Sequence, residues 1–342
     1  MKRWQCLASI WATALGCVLA LTSGDALAQQ WEKSDTLRDR AESAFWWGDF
    51  DEMERLYNEA RKATTPRSDG LPQLYSVRAG FAAVFKYNNL TDSYFEELQR
   101  LTAQWASERP RSALAHLLHV RTLYARAWHH RGDGYAISIP QEGQKKYIQY
   151  IKAAEDYMAQ HGWLAEQDST AHVYLLMLGR SAGWSFKRMW AVAQAGASKN
   201  PADEDTIYEE LAYSLLPKWG GSWQDIDALA EEAHQQTKAR RGAELYAFIY
   251  SGIAYSVDGN LFEVTQAKWP RVKEGLKHLL DRTPAGPWQD RLAYLACLAH
   301  DRATFDDAMK RVEDRPDLDF WKGGGTGGRQ NYESCISWAH SR

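Results

Sequence analysis

The sequence predicts an all-α fold, an α-solenoid of about 13 to 15 helices paired as antiparallel hairpins, with no significant sheet. Apolar residues recur at helical spacing in blocks of about 12 to 20 residues along the 342-residue chain. Gly or Pro ends each block, and almost no stretch alternates apolar with polar as a half-buried strand does. A helix with one apolar face needs a neighbour to cover it. Where links are short, that neighbour is the next helix in the chain.

Residues 1–28 have the pattern of a cleavable export signal. Lys2 and Arg3 give a positive start, Leu7 to Leu21 is apolar apart from Ser9 and Thr13, and Ala26-Leu27-Ala28 is a small-x-small cleavage site. Cleavage is expected after Ala28, which sends the mature chain, residues 29–342, to the periplasm or outside the cell. A retained anchor is disfavoured, because about 15 apolar residues are short for a hydrocarbon layer of roughly 30 Å. Cys17 after Ala14-Leu15-Gly16 offers a lipoprotein site as the alternative, but the leucine stands one place too close to the cysteine.

Helical signals begin near Ser34. Phe50, Met53, Tyr57 and Ala60 share one face, as do Leu90, Tyr94, Leu98, Leu101 and Trp105. The spacing returns in Tyr147, Ile151, Ala154 and Met158, in Phe186, Trp190, Ala193 and Ala197, and in Tyr208, Leu211, Ala212 and Leu215. Breakers mark the links: Pro66 to Gly70, Arg109-Pro110, Gly132 to Pro140, Asn200-Pro201, Pro217 to Ser222, Asp258 to Asn260 and Pro284 to Pro287. The stretch 314–330, rich in Gly and Pro, is expected to be the loosest part of the mature chain, and a short helix over 331–340 to cap its end. A solenoid grows by adding repeats, so 29–342 is expected to be one continuous domain.

Two hairpins have the detail of tetratricopeptide units. In one, Ala41, Ala44 and Trp47 lead into Gly48-Asp49-Phe50 and then Met53, Leu56 and Ala60. In the other, Leu295 and Ala299 lead into Asp301, then Phe305, Ala308 and Met309. Small residues let the helices approach and an aromatic fills the gap, so the fold is TPR-like. The period between them is not strict.

Bulk chemistry excludes several functions. The formal charge of −3 becomes one unit more negative once Lys2, Arg3 and Asp25 are removed, so nothing draws the chain to nucleic acid. No later segment is apolar for long enough to insert in a membrane. Cys297 and Cys335 are the cysteines of the mature chain. They form either a disulfide or two separately buried thiols, and neither belongs to a C-x-x-C redox motif.

The most distinctive string is Leu215-Leu216-Pro217-Lys218-Trp219-Gly220-Gly221-Ser222. Together with Trp105, Pro110 and Ser112, Arg131-Gly132, and the pattern from Trp184 through Ala193 to Pro201, it resembles the bacterial family of the domain of unknown function 4034. The likeness runs from about Thr91 to the C-terminus. It implies a helical, TPR-like fold and carries no catalytic residue with it.

Pro217 ends a helix, Gly220 and Gly221 permit positive φ, and Ser222 with Asp225 begins the next helix as a capping box. At the tip of this rigid turn Lys218 and Trp219, with Gly220, Gly221 and Trp223 around them, are the candidate ligand-binding residues for a peptide terminus or a sugar ring. Packing of Trp219 against the adjacent repeat is the competing reading, as for most of the many tryptophans. His116 and His119 lie three apart, and His129-His130 follow one helix length on. No H-E-x-x-H is present and no carboxylate stands at ligand spacing beside them, so no metal or other cofactor is expected. Arg121, near the stripe of Leu114, Leu118, Ala125 and Trp128, needs a partner if buried. Gly323 to Gly328 lacks the lysine and the strand of a phosphate loop and reads as flexible. Glu209-Glu210 and Glu231-Glu232 read as solvated faces.

These residues point to a protein that binds another polypeptide, as a scaffold or assembly factor, without catalysis. A carbohydrate or cell-wall binding module using Trp219 is the alternative. An all-helical hydrolase using His116, His119 or His172 is the third reading.

Overall fold

The computed structural model describes residues 36–65, 67, 72–85, 90–132, 138–284, 288–312 and 316–341. The export signal, its cleavage site at Ala28 and Cys17 lie outside the described residues, as do most of the links at 66–70, 132–140 and 284–287. The described residues form 17 α-helices and no strand, with one isolated bridge between Gly323 and Thr326. In chain order they are α1 Thr36–Trp47, α2 Phe50–Lys62, α3 Gln73–Ala83, α4 Asp92–Glu108, α5 Ala113–Arg131, α6 Gln141–Gln160, α7 Trp163–Gln167, α8 Ser169–Ala182 and α9 Phe186–Lys199. Then come α10 Glu204–Ser214, α11 Trp223–Arg241, α12 Glu244–Ile253, α13 Leu261–Val264, α14 Trp269–Arg282, α15 Trp288–Leu298, α16 Arg302–Val312 and α17 Gly328–His340. The sequence undercounts because α7 and α13, of 5 and 4 residues, are single turns inside links. None of the described helices is long and apolar enough to cross a membrane.

The single domain expected from the sequence divides into two compact units, one ending at Thr91 and one starting at Asp92. The first has its own core. Phe45 meets Phe81 and Phe85 edge-on at 6.0 and 5.8 Å, with Met53, Leu56 and Tyr57 buried beside them. Gly80 lies so close to α1 that a Cβ there would stand 2.3 Å from the Arg38 carbonyl oxygen. Phe45, and not Trp47, fills this core. Trp46 and Trp47 fall on the last turn of α1, off the Ala41–Ala44–Phe45 face, and are 36% and 68% exposed, against the expectation that tryptophans pack inward.

In the second unit α5, α8, α10 and α12 lie side by side in succession. Around them α4 and α6 pack on α5, α9 on α8 and α10, α11 on α12, and α14 between α12 and α15. Burial follows this layering. Nearly every residue of α12 is buried, whereas the 20-residue α6 buries only Ile151, Ala154 and Met158. A helix covered on several sides is apolar all round, and one at the edge needs only a stripe.

The α1–α2 and α15–α16 hairpins make the same turn. Gly48 (φ 63°) and His300 (φ 55°) both adopt left-handed backbone. The Asp49 amide donates to the Ala44 carbonyl and the Asp301 amide to the Ala296 carbonyl, each at 2.9 Å. Each aspartate then caps the next helix, accepting from the Glu52 amide at 3.0 Å and the Thr304 amide at 3.1 Å.

The C-terminal stretch corrects the expectation of a flexible loop at 314–330. Trp321 is fully buried, and its indole N–H donates to Asp290 Oδ1 at 2.8 Å. The Asn331 amide donates to the carbonyls of Trp321 (2.8 Å) and Gly323 (2.9 Å) and to the Tyr294 hydroxyl (3.2 Å). The glycines serve close packing here: a Cβ on Gly323 would sit 2.4 Å from the Tyr294 hydroxyl, and one on Gly328 1.8 Å from the Leu318 carbonyl. The capping helix α17 begins at Gly328, three residues earlier than expected. Cys335 on it is bonded to Cys297 on α15, with Cα atoms 5.8 Å apart.

Candidate functional site

Where α5, α8 and α10 run together, one arginine organises the surface. Arg180, on the last turn of α8, falls four residues after Leu176 on the buried stripe. Its side chain is only 6% exposed. It pairs with Glu210, donates to Ser214 Oγ at 3.0 Å, and donates to the Tyr124 hydroxyl at 3.1 Å. Its guanidinium also faces the rings of Tyr213 at 4.9 Å and Trp219 at 5.5 Å. Burial opposes the charge, but the Glu210 carboxylate and the Tyr124 hydroxyl outweigh it, so the arginine pKa is raised and the cation is fixed.

The turn after α10 brings its residues to this arginine. Pro217–Trp219 forms a 3-10 turn, and Gly220 leaves it with φ 88°. Ser222 accepts from the Asp225 amide at 3.1 Å and its hydroxyl donates to the Asp225 carboxylate at 2.6 Å, starting α11 as its sequence indicated. Gly221 differs from expectation: its φ is not positive, and it is glycine because a Cβ would lie 2.1 Å from the Leu215 carbonyl oxygen. Trp219 is half-buried against Trp128, edge-on at 5.6 Å. Trp128 continues the aromatic wall to Tyr147 at 5.5 Å, with the Arg131 guanidinium 4.8 Å from its own ring. The Lys218 ammonium is exposed and stands 4.7 Å from the Tyr213 ring and 5.6 Å from that of Trp219.

Of the candidates read from the sequence, Lys218 and Trp219 therefore belong to one patch. Gly220 and Gly221 shape its turn, and Trp223, like Trp219 itself, packs against the core. Sequence reasoning missed Arg180, Tyr124, Tyr213 and Glu210. Glu210 is part of a buried ion pair and not a solvated face, while Glu231 is half-exposed and pairs with Arg271. The signal was available: Arg180 is a charge on an apolar stripe, as Arg121 is. On α5 the nearly buried arginine is Arg126, which donates to the partly exposed Asp92 Oδ1 and to Gln99 Oε1, each at 2.9 Å. Arg121 lies over the Tyr124 ring at 5.3 Å.

The patch also holds polar atoms with no protein partner. Arg180 Nε, Ser181 Oγ, and the indole nitrogens of Trp128 and Trp219 are buried without a hydrogen bond. Atoms of the same kind occur elsewhere among the described residues, as at Ser256 Oγ and Trp288 Nε1.

The histidines form a different arrangement. His116 Nε2 donates to the Pro110 carbonyl at 3.2 Å, so its Nδ1 accepts from the Tyr157 hydroxyl at 2.7 Å. Both nitrogens are thereby occupied. His119 Nδ1 lies 3.0 Å from Thr102 Oγ. Thr102 itself donates to the Leu98 carbonyl, so the histidine N–H donates to the threonine oxygen. Burial lowers both pKa values, that of His119 to about 4. His172 is buried elsewhere, against Gly196. The cavities lined by Tyr332 to Ser341 and by Gln224 to Arg271 include none of these three histidines.

No family model, no curated protein and no solved structure matches this chain.

Proposed function

We propose that the protein is an exported helical-repeat protein that binds another polypeptide, in a scaffold or assembly role and not as an enzyme. The Arg180 patch is where that polypeptide lies. Membership of the family of the domain of unknown function 4034 is part of the same proposal, resting on the Leu215 to Ser222 string. The observation that supports the site is the exposed Lys218 ammonium held beside the partly exposed rings of Tyr213 and Trp219. Tyr213 and Trp219 are partly exposed, and as rigid rings they lose little entropy when a ligand settles on them, while Lys218 adds an exposed charge.

Sugar binding on Trp219 is the second reading. Stacking of a sugar requires an open indole face, and here Lys218 and Arg180 already lie against the ring. The polypeptide reading is favoured for that reason.

A photo-crosslinking amino acid placed at Lys218 in the exported chain tests the proposal, with Lys152, exposed on α6, as the control position. A defined polypeptide adduct at 218, missing at 152 and lost on Tyr213→Ala, is expected. Adducts to glycan alone would transfer the site to carbohydrate. Equal labelling at both positions, or none, would refute it.

A further inference from the structure

The C-terminal end of α5 meets the N-terminal end of α4 in a second constellation, independent of the polypeptide site. His129 and His130 end α5 and Asp92 begins α4. One ligand atom from each lies within 4.8 Å of the other two. We propose that Asp92, His129 and His130 bind one divalent transition-metal ion, Zn2+ being the member of that class tested first.

Two imidazoles and one carboxylate are a ligand set that zinc takes with water in the fourth position. Bonds of about 2.1 Å put tetrahedral donors roughly 3.4 Å apart, so closing the set around an ion requires shifts of no more than about 1.4 Å. The rings are already held. His130 stacks on Tyr150 with the planes 9° apart and centroids at 5.5 Å, and His129 lies 5.0 Å from Phe95. Support of this kind on the ligands reduces the ordering that an ion must impose. Donor chemistry agrees with the placement. His130 Nε2 is buried with no hydrogen-bond partner, on a side chain only 9% exposed, although it stands 3.1 Å from Asp92 Oδ1. Arg126 also contacts Oδ1, at 2.9 Å, so an ion at this place would share the carboxylate with the guanidinium.

Protonation favours the same reading. Burial lowers the His130 pKa, and the hydrogen bond from Arg126 lowers that of Asp92, which leaves a neutral imidazole and a carboxylate at neutral pH. The α5 carbonyls at this helix end are a region of negative potential. Opposing these, Arg126 and Lys146 place positive charge beside Asp92. The affinity is therefore expected to be moderate, with a dissociation constant on the order of 10 µM.

The test is calorimetric titration of the untagged, chelator-stripped chain with ZnCl2, and with Co2+ for its visible spectrum. One equivalent should bind, with a cobalt spectrum of nitrogen and oxygen ligands. His129→Ala, His130→Ala and Asp92→Asn should each weaken binding by about tenfold or more. His116→Ala, in the other histidine group, should leave it unchanged. Circular dichroism of each variant shows whether the fold persists, and Asp92→Asn keeps the residue's shape if an alanine variant unfolds. No saturable binding, or binding that survives His129→Ala and His130→Ala together in the folded protein, would overturn the assignment.

Discussion

Acidification should loosen the second unit through His119. Its side chain is nearly enclosed, 6% exposed, with Nδ1 donating to Thr102 and the ring 4.8 Å from that of Tyr157. Burial is the main reason its pKa falls to about 4, and the nearby His116 and His161 add to the effect. The folded protein thus keeps this imidazole neutral, while the unfolded chain takes up a proton below about pH 6.5. Stability from this group is complete above pH 6.5, declines as the pH falls, and is fully lost near pH 4, where both states are protonated. A difference of this size corresponds to a loss on the order of 3 kcal/mol across that window. Urea unfolding followed from pH 8 to pH 4 should show the decline. His119→Gln, which cannot take the proton, should remove that share of the slope. An unchanged slope in the variant, or a His119 titration at pH 6.5 in the folded protein, would refute the reasoning.

The turn that carries Lys218 and Trp219 makes a sharp comparison. Gly220→Ala meets nothing within 4 Å and has only its left-handed backbone against it, about 1 kcal/mol. Gly221→Ala drives a methyl into the Leu215 carbonyl at 2.1 Å and should cost about 2 to 3 kcal/mol, read as a larger drop in Tm. The Cys297–Cys335 bond, closing a separation of 38 residues, should contribute about 4 kcal/mol by chain entropy. Thermal unfolding of Cys297→Ser with Cys335→Ser, compared with the oxidised protein, checks it.

What could be read along the chain was whatever depends on local spacing. Ile151, Ala154 and Met158 repeat at helical intervals, and all three are buried. Ser222 and Asp225 start a helix because a cap is made between residues three apart. Partners distant in sequence left no such mark. Arg180 finds Glu210 and Tyr124 on two other helices, and Asp92 reaches His130 across the α4–α5 pair. The glycines were misread for a related reason. Those of 323–328 suggested looseness, but Tyr294 and Leu318, which press on Gly323 and Gly328, come from elsewhere in the chain or its folded path.

The sequence by itself determined that this protein is a series of apolar-striped helices closed by capped turns, because stripe and cap are set by bonds and side chains within a few residues. Only the tertiary structure decided which charges are buried together, that Cys335 bonds Cys297, and that the glycine-rich segment is anchored by Trp321 and Asn331. Those outcomes depend on which helix covers which. That choice follows from packing summed over the whole unit, a quantity no short window of residues contains.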